Sequence, residues 1–451
     1  MINDDSIVAI ATATGVGAIS IVRLSGKKSL QIALQISKQQ NFTPRLATLT
    51  KLYDAQDQMI DQALVIYFQS PNSFTGEDIV EFQCHGGIAV TNMVVQTILS
   101  YGGRLATAGE FSKRAYLNGK IDLSQAYAIS KLIDAKTQDG VKMLARQLKG
   151  ELSEFVNIVR DDLLLILSYI EVSIDYAQED LPEDITEQIT SKLLNISDKL
   201  TNLLKASQQR EGLIEGFKVA IVGKPNVGKS SLLNRLLNFD RAIVSDIAGT
   251  TRDTIEESIN IGSHIIKIVD TAGIRDANDT IEQIGIEKSK NAIEEADIII
   301  AIFDNSRIYD DEDDQIIELL NDTQKDKIIV LNKSDLENKF DKTKLPKVDL
   351  ELNISKELVN NPIYELTSKI QQILDNNTLA CDMALVSTNQ VISVEHTLND
   401  IKEAIKLFDD GSLEFFAYHI NEALQSISSI TRPYETDEML DVMFGEFCLG
   451  K

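Results

Sequence analysis

The chain is poor in cysteine: Cys84, Cys381 and Cys448 are the only three in 451 residues. Three thiols make no disulfide framework, which suits a reducing cytosol. Long apolar runs are also missing. No uninterrupted stretch reaches the roughly 18 residues that a membrane helix needs, and Leu163–Leu167 is far too short. The opening Met1-Ile2-Asn3-Asp4-Asp5 is acidic and lacks the basic start of a secretory signal, so a cytoplasmic protein without membrane contact is expected. Basic residues are outnumbered, 44 Lys and Arg against 69 Asp and Glu, for a net charge of −25. That balance excludes a surface that clamps nucleic acid all over, since phosphate binding is driven by Lys and Arg. The deficit is uneven, because residues 1–120 carry 10 basic against 9 acidic side chains. A contact with RNA therefore falls to the N-terminal third or to a basic partner. No internal repeat or low-complexity segment stands out.

What is present divides into blocks. In residues 1–120, Ser6–Ala11, Ala18–Leu24, Ala63–Phe68 and Ile79–Gln83 read as strands, with glycine-rich turns such as His85-Gly86-Gly87 and Tyr101-Gly102-Gly103. This predicts a small α+β domain. From Leu123 apolar residues recur at helical spacing through Ala126, Ile129 and Ile133, then Val141, Leu144, Leu148, Leu152, Phe155 and Val159. A break at Leu181-Pro182 precedes another helical run, Ile185–Leu204. At Lys218 strands and helices begin to alternate, and after about Asn377 helical spacing returns. The economical reading is a multidomain chain. An α+β domain spans 1–120. An all-α helical domain, 121–215 and 379–451, is interrupted by an inserted α/β Ras-like P-loop domain at 216–378.

The inserted block carries the strongest motif. The apolar run Phe217–Val222 is followed by Gly223-Lys224-Pro225-Asn226-Val227-Gly228-Lys229-Ser230, the G-x-x-x-x-G-K-S pattern, and then by a helix beginning near Ser231. Gly223 and Gly228 let the backbone turn its N–H groups toward a phosphate. The helix N-terminus adds a positive field, Lys229 reaches the β- and γ-phosphates, and the Ser230 hydroxyl suits Mg²⁺. Asp270-Thr271-Ala272-Gly273 follows the strand Ile265–Val269, with a carboxylate placed for Mg²⁺ through water and an N–H for the γ-phosphate. Asn332-Lys333-Ser334-Asp335 follows Lys327–Leu331, and a carboxylate there accepts both N1–H and N2–H of guanine, which adenine cannot offer. Ser355-Lys356-Glu357 follows Leu350–Ile354 and would back guanine O6 with a main-chain N–H. Strands at 217, 265, 298, 327 and 350 are expected to end at one edge of a parallel sheet, where ligands bind in such folds. The ligand is GTP rather than ATP.

Gly249-Thr250-Thr251-Arg252-Asp253 lies between the P-loop helix and the next strand, the place of a first switch loop in which a threonine closes on Mg²⁺. After Asp-Thr-Ala-Gly, Ras-type GTPases have a glutamine that orients water, whereas this chain has Ile274. The polar group must come from elsewhere. Arg275, Asp276, Asp279 and Glu282 are the nearby candidates, and the residues alone do not choose among them.

Over nearly the whole chain these motifs resemble the MnmE (TrmE) family of tRNA-modifying GTPases. The more specific likeness lies outside the nucleotide motifs. It is carried by Arg23-Leu24-Ser25-Gly26, Ser73-Phe74-Thr75-Gly76-Glu77-Asp78, His85-Gly86-Gly87, Gly109-Glu110-Phe111-Ser112, Leu117-Asn118-Gly119-Lys120 and the final Cys448-Leu449-Gly450-Lys451. Two segments depart from the family: Ala11-Thr12-Ala13-Thr14-Gly15-Val16-Gly17 replaces a Pro/Gly-Arg-rich loop, and Ser355-Lys356-Glu357 varies the fifth motif.

The resemblance implies a GTPase that works as a homodimer with an FAD-dependent MnmG partner, as a heterotetramer, on tRNA. The product is an aminomethyl-type (carboxymethylaminomethyl) group at C5 of the wobble uridine, position 34. A 5-formyl- or other one-carbon tetrahydrofolate is implied for the N-terminal domain, at Arg23, Glu81, Lys120 and Lys451. Glu282 matches the family's water-orienting glutamate and Cys448 a candidate nucleophile. K⁺ ligands are implied at Asn226, Ser245, Ile247 by its carbonyl, and Thr250, with Mg²⁺ on Ser230 and Thr251. The implied GTP contacts further include Val227, Gly228, Lys229, Ser231, Asp246, Ala248 and Gly249. A translation- or ribosome-assembly GTPase switch without modification chemistry is the alternative, and the nucleotide motifs alone do not separate the two. The terminal Cys-Leu-Gly-Lys and the Arg/Glu/Lys set favour the first.

Overall fold

The structure is a computed structural model that describes residues 5–13, 15–175, 183–207, 210–239, 257–262, 264–269, 290–347, 349–351, 362–378, 383–409, 412–432 and 450. Its contacts form two compact units. One comprises Met1–Ser130, Gln147–Asp180 and Lys406–Lys451; the other comprises Lys131–Arg146 and Leu181–Ile405.

In the first unit the strands β1 (Ile7–Ile10), β2 (Ile19–Ser25), β3 (Thr48–Tyr53), β4 (Met59–Phe68), β5 (Ile79–His85) and β6 (Arg104–Leu105) form one sheet in the order β3-β4-β5-β2-β1-β6. All pairs are antiparallel except β1 with β6. Alternation along the strands separates two faces. Val8, Val22, Leu24, Val65, Val80 and Phe82 meet Ile32 and Ile36 of α1 (Ser29–Ser37) and Val94 and Ile98 of α2 (Ile88–Ser100) in one core. The opposite face carries Ile7 and Ala9, which pack with Ala106, Phe74 and Phe111 of α3 (Glu110–Leu117). Strands β3 and β6 were not expected. The first is a half-polar edge strand, in which only alternate positions such as Leu52 are buried, and the second is two residues long.

The helices begin at α4 (Leu123–Asp134) and α5 (Gln138–Leu148). In α6 (Glu151–Asp175) the buried residues Leu152, Val156, Val159, Leu163, Ile166 and Ile170 repeat every three or four positions. Helix α7 (Glu183–Ser207) and the short α8 (Arg210–Glu215) lead into β7 (Phe217–Val222).

The second sheet has the order β12-β11-β10-β7-β9-β8, built from β7, β8 (Glu257–Ile261), β9 (His264–Val269), β10 (Ile298–Asp304), β11 (Asp326–Asn332) and β12 (Leu350–Glu351). Five strands run parallel; β8 pairs antiparallel with β9 at the edge. Every residue of the central β10 is buried, as expected of a strand covered on both faces. Helices α9 (Lys229–Phe239), α10 (Asp311–Asn321) and α11 (Pro362–Thr378) belong to this domain. Helices α12 (Thr388–Asp409) and α13 (Leu413–Ser429) follow. The Ser207 hydroxyl at the end of α7 accepts the Leu385 N–H at 2.8 Å, so the two helical segments meet across the α/β domain inserted between them. The expected architecture is thus present: an α+β N-terminal domain, an all-α domain and an inserted α/β P-loop domain.

Candidate functional site

Strand β7 lies inside the parallel sheet, between β10 and β9, and delivers the loop 223–228 to its carboxyl edge. Two glycines there are sterically required. Gly223 has φ +152°, and a Cβ on it would collide with the Ile302 carbonyl oxygen. Gly228 has φ +111°, and its Cβ would collide with the Asn332 side-chain amide. That amide donates to the Val227 carbonyl at 2.8 Å, so the P-loop and the loop after β11 interlock at Gly228. Lys229 opens α9 and folds back, its ammonium donating to the Gly223 and Lys224 carbonyls at 2.6 and 2.8 Å. Burial pushes its pKa below the usual lysine range, because a desolvated cation lacks water to stabilise it. An anion arriving at this loop meets a half-buried ammonium and a helix N-terminus together.

The structure brings Asn226–Ser231 and Asn332–Asp335 to the same edge. Asn226 and Lys333 both hold left-handed backbones, φ 63° and 60°. The Lys333 ammonium bridges the Asn226 carbonyl, at 3.1 Å, and the Asp304 carboxylate, at 2.5 Å. The Asp335 side chain is exposed at the rim. Ser245, Asp246, Ile247, Ala248, Gly249, Thr250, Thr251, Asp270, Thr271, Ala272, Gly273, Glu282, Ser355, Lys356 and Glu357 lie outside the described residues.

Sequence reasoning missed two groups here. Asp304 ends the all-buried β10; burial alone would raise its carboxyl, but Lys333 and Ser306 hold it below the usual carboxylate range. Lys224, inside the P-loop, is buried and pairs with Asp310 and, at 2.7 Å, with the buried Asp313. Asp310 also caps α10, accepting the Glu312 N–H. The signal for Asp304 was present as a lone carboxylate closing the run Ile298–Phe303.

A second constellation occupies the N-terminal sheet, on the face opposite α1 and α2. Arg23 and Glu81 are direct cross-strand partners on β2 and β5, joined by an Nε–H···Oε1 bond of 2.9 Å. Their side chains are 23% and 15% exposed, which leaves the pair reachable from solvent. The Arg23 guanidinium stands 5.9 Å from the Phe74 ring centre and 5.8 Å from that of Phe111. The Lys120 stem lies against Gly76, next to the loop that bears Phe74. Asn118 fixes that contact by donating to the Thr75 carbonyl at 2.7 Å. Gly450, near the chain end, has φ +95° and packs on the Ile10 carbonyl at the end of β1, where a Cβ would not fit. Ala9, one residue back along β1, is paired with Arg23. Cys448 and Lys451, flanking Gly450, lie outside the described residues, as does Cys381. Cys84 is buried in the sheet core, and burial pushes its thiol up to about 12, which removes it as a nucleophile at neutral pH.

Among the described residues no helix is long and apolar enough to cross a membrane. Residues 6–120 match the family described as GTP-binding protein TrmE N-terminus, and residues 123–448 match the MnmE helical domain. The chain is 64% identical to the tRNA modification GTPase MnmE of Aliarcobacter butzleri, over 100% of both chains. It is 56% identical to the protein of that name from Sulfurimonas denitrificans, again over 100% of both, and 49% identical to that of Wolinella succinogenes, over 99% of this chain and 98% of that one. Among solved structures, the G domain of the Thermotoga maritima FeoB iron transporter is 23% identical, covering 35% of this chain and 98% of that one at a TM-score of 0.25.

Proposed function

The chain belongs to the MnmE family of tRNA modification GTPases, and from that membership and its two constellations of residues we propose how it acts. It is a GTP-binding enzyme that takes part in tRNA modification. In the proposed reaction it works with an FAD-dependent MnmG partner, as a heterotetramer in the cytoplasm, to install a carboxymethylaminomethyl-type group at C5 of uridine 34 in certain tRNAs. The domains divide as 1–120, 121–215, 216–378 and 379–451.

At the nucleotide, Lys229 meets the β- and γ-phosphate oxygens and Asp335 the guanine edge. Ser230, in the first turn of α9 beside Lys229, offers the hydroxyl oxygen that Mg²⁺ takes, with Thr251 as its companion. Asn226, exposed on a left-handed backbone, offers an oxygen to K⁺ together with Ser245, the Ile247 carbonyl and Thr250. A monovalent cation held by these residues would supply positive charge to the phosphate groups. Glu282 orients the attacking water, a task the side chain of Ile274 cannot perform.

The observation that carries the modification reading is the Arg23–Glu81 pair, whose guanidinium is flanked by Phe74 and Phe111, with the Lys120 stem against Gly76 in the loop that follows Phe74. A half-buried Arg–carboxylate pair between aromatic rings fits a pterin: Glu81 accepts from its amino edge, while Arg23, Lys120 and Lys451 meet its carbonyl and glutamate oxygens. A bound one-carbon tetrahydrofolate supplies the one-carbon unit. Cys448, two residues from the docked Gly450, is the proposed nucleophile. The test is nucleoside analysis of tRNA from cells lacking this chain, complemented with wild type or Arg23→Met. Wobble-uridine modification should vanish, return with wild type and stay absent with Arg23→Met, while purified Arg23→Met hydrolyses GTP normally. Unchanged nucleosides in the deletion would leave a GTPase switch without modification chemistry.

A further inference from the structure

Asp304 closes β10, and β10 lies between β7, which feeds the P-loop, and β11, which feeds the loop 332–335. It stands in register with Asn332. Its side chain is only 2% exposed, and both carboxylate oxygens are engaged. Oδ1 accepts the Ser306 N–H at 3.0 Å and the Ser306 hydroxyl at 2.7 Å. Oδ2 accepts the Lys333 ammonium at 2.5 Å, with Arg307 Nε 3.5 Å away. The same ammonium reaches the Asn226 carbonyl of the P-loop. Asn226 and Lys333 hold left-handed backbones that a non-glycine residue keeps only where its surroundings fix it.

We infer that Asp304 is a positioning residue for the guanine nucleotide, acting through Lys333. A free lysine side chain samples many rotamers, and ordering it on ligand binding opposes association. The carboxylate fixes that side chain beforehand, with its stem laid between the base-side loop and the P-loop. It thereby ties the two nucleotide-gripping loops into one rigid rim. The end of β10 stands between the strands that feed the two loops, where its carboxylate reaches the lysine that spans them, and this contact adds to the Asn332–Val227 bond. The inference rests on the assignment of Asn332–Asp335 to the guanine base.

The test measures dissociation of a fluorescent GDP or GTP analogue from the full chain. Asp304→Asn should speed dissociation of both about tenfold, a change in the holding of the shared guanosine moiety. In a Lys333→Met background the same substitution should change the rate less than about twofold, because the group it positions is gone. Ser306→Ala, which removes only the contacts on Oδ1, should leave dissociation near wild type. Independent, multiplying effects of Asp304→Asn and Lys333→Met, or an effect of Ser306→Ala equal to that of Asp304→Asn, would overturn the proposal and make Asp304 a brace for its own loop. Should Asp304→Asn not fold, Lys333→Met must still speed dissociation and Ser306→Ala must not; the reverse order overturns it. Asp335→Asn tests the base assignment separately. Altered base preference there with unchanged dissociation in Asp304→Asn rejects the inference alone, whereas unaltered base preference rejects the assignment on which it rests.

Discussion

Asp335 and Cys448 are the two single residues whose proposed roles are most directly tested by substitution. An exposed carboxylate at the rim of the nucleotide site matches two adjacent N–H donors, which guanine has and adenine lacks. Asp335→Asn replaces one acceptor by a donor and so favours xanthine, whose C2 carries an oxygen. In competition binding, the variant should lose GTP affinity by about 10²-fold or more and gain xanthosine triphosphate binding. Equal affinity of the wild type for ATP and GTP would reject the role of Asp335. For Cys448 the structure offers its near neighbour Gly450, packed on Ile10 at the end of the strand whose Ala9 pairs with Arg23. Cys448 lies two residues from that contact in sequence, whereas Cys84 is buried and its thiol strongly disfavours ionisation. Cys448→Ser should therefore abolish wobble-uridine modification while thermal stability and GTP turnover stay near wild type. Persisting modification would show that the thiol is not the nucleophile.

At the scale of elements, α3 is held by charge as much as by packing. Arg104 and Arg114 share Asp5 and Glu110, Arg114 also pairs with Glu77, and Arg114 is 9% exposed, so these guanidinium groups hold only while the carboxylates are ionised. Burial alone would raise the Glu110 carboxyl, but Arg104, the Thr107 N–H and Arg114 hold it below the usual range, and Asp5 is likewise lowered by Arg104 and Arg114. A carboxylate whose folded pKa is depressed contributes stability above its unfolded pKa and loses it as pH falls through the folded value. Unfolding of the N-terminal unit should thus ease progressively below about pH 4. Glu110→Gln should destabilise it at pH 7 by roughly 3 kcal/mol and weaken that acid dependence. Thermal melts from pH 7 to pH 3 check both; an unchanged acid limb in the variant would remove Glu110 from the account. These elements also show what a sequence can and cannot declare. Phe217–Val222 and the glycines after it were legible because strand, loop and helix are contiguous and each residue type has a local steric reason. The edge strands β3 and β8 were not, since half-polar edges lack the apolar signal of β10. Asp304 escaped because its partner Lys333 is brought to it by strand order, β10 beside β11, and not by spacing. The docking of Gly450 on Ile10 was invisible for the same reason, and the Arg23, Glu81, Lys120 and Lys451 set was readable only through likeness to a family.

For the whole molecule, the open face of the N-terminal sheet argues for a second copy. On β4, Ala63 and Val65 enter the core beneath α1 and α2, so Leu64 between them points to the other side, where it is 40% exposed. Leu49, its register partner on the edge strand β3, is 61% exposed, and Ile19, on the same side of β2, is 63% exposed. Three large aliphatic side chains on one sheet face offer an apolar patch that association would cover. The Arg23–Glu81 pair lies on that same face. A homodimer formed there covers the aliphatic side chains and brings a second wall to the pair. An interface of standard size buries about 1,600 Å² in total, and the part of this face that α3 and Phe74 leave uncovered would contribute to it. Sedimentation of the full chain at micromolar concentration without nucleotide should give a dimer. Leu64→Arg should shift it toward monomer, because a charge at the centre of the patch must be desolvated on association. Its GTP affinity should be unchanged, since the nucleotide residues belong to the other compact unit. A wild type that sediments as a monomer would reject the dimer outright. A Leu64→Arg chain that remains fully dimeric would keep the dimer but move its interface away from this face, and with it the idea that a partner subunit walls the Arg23–Glu81 site.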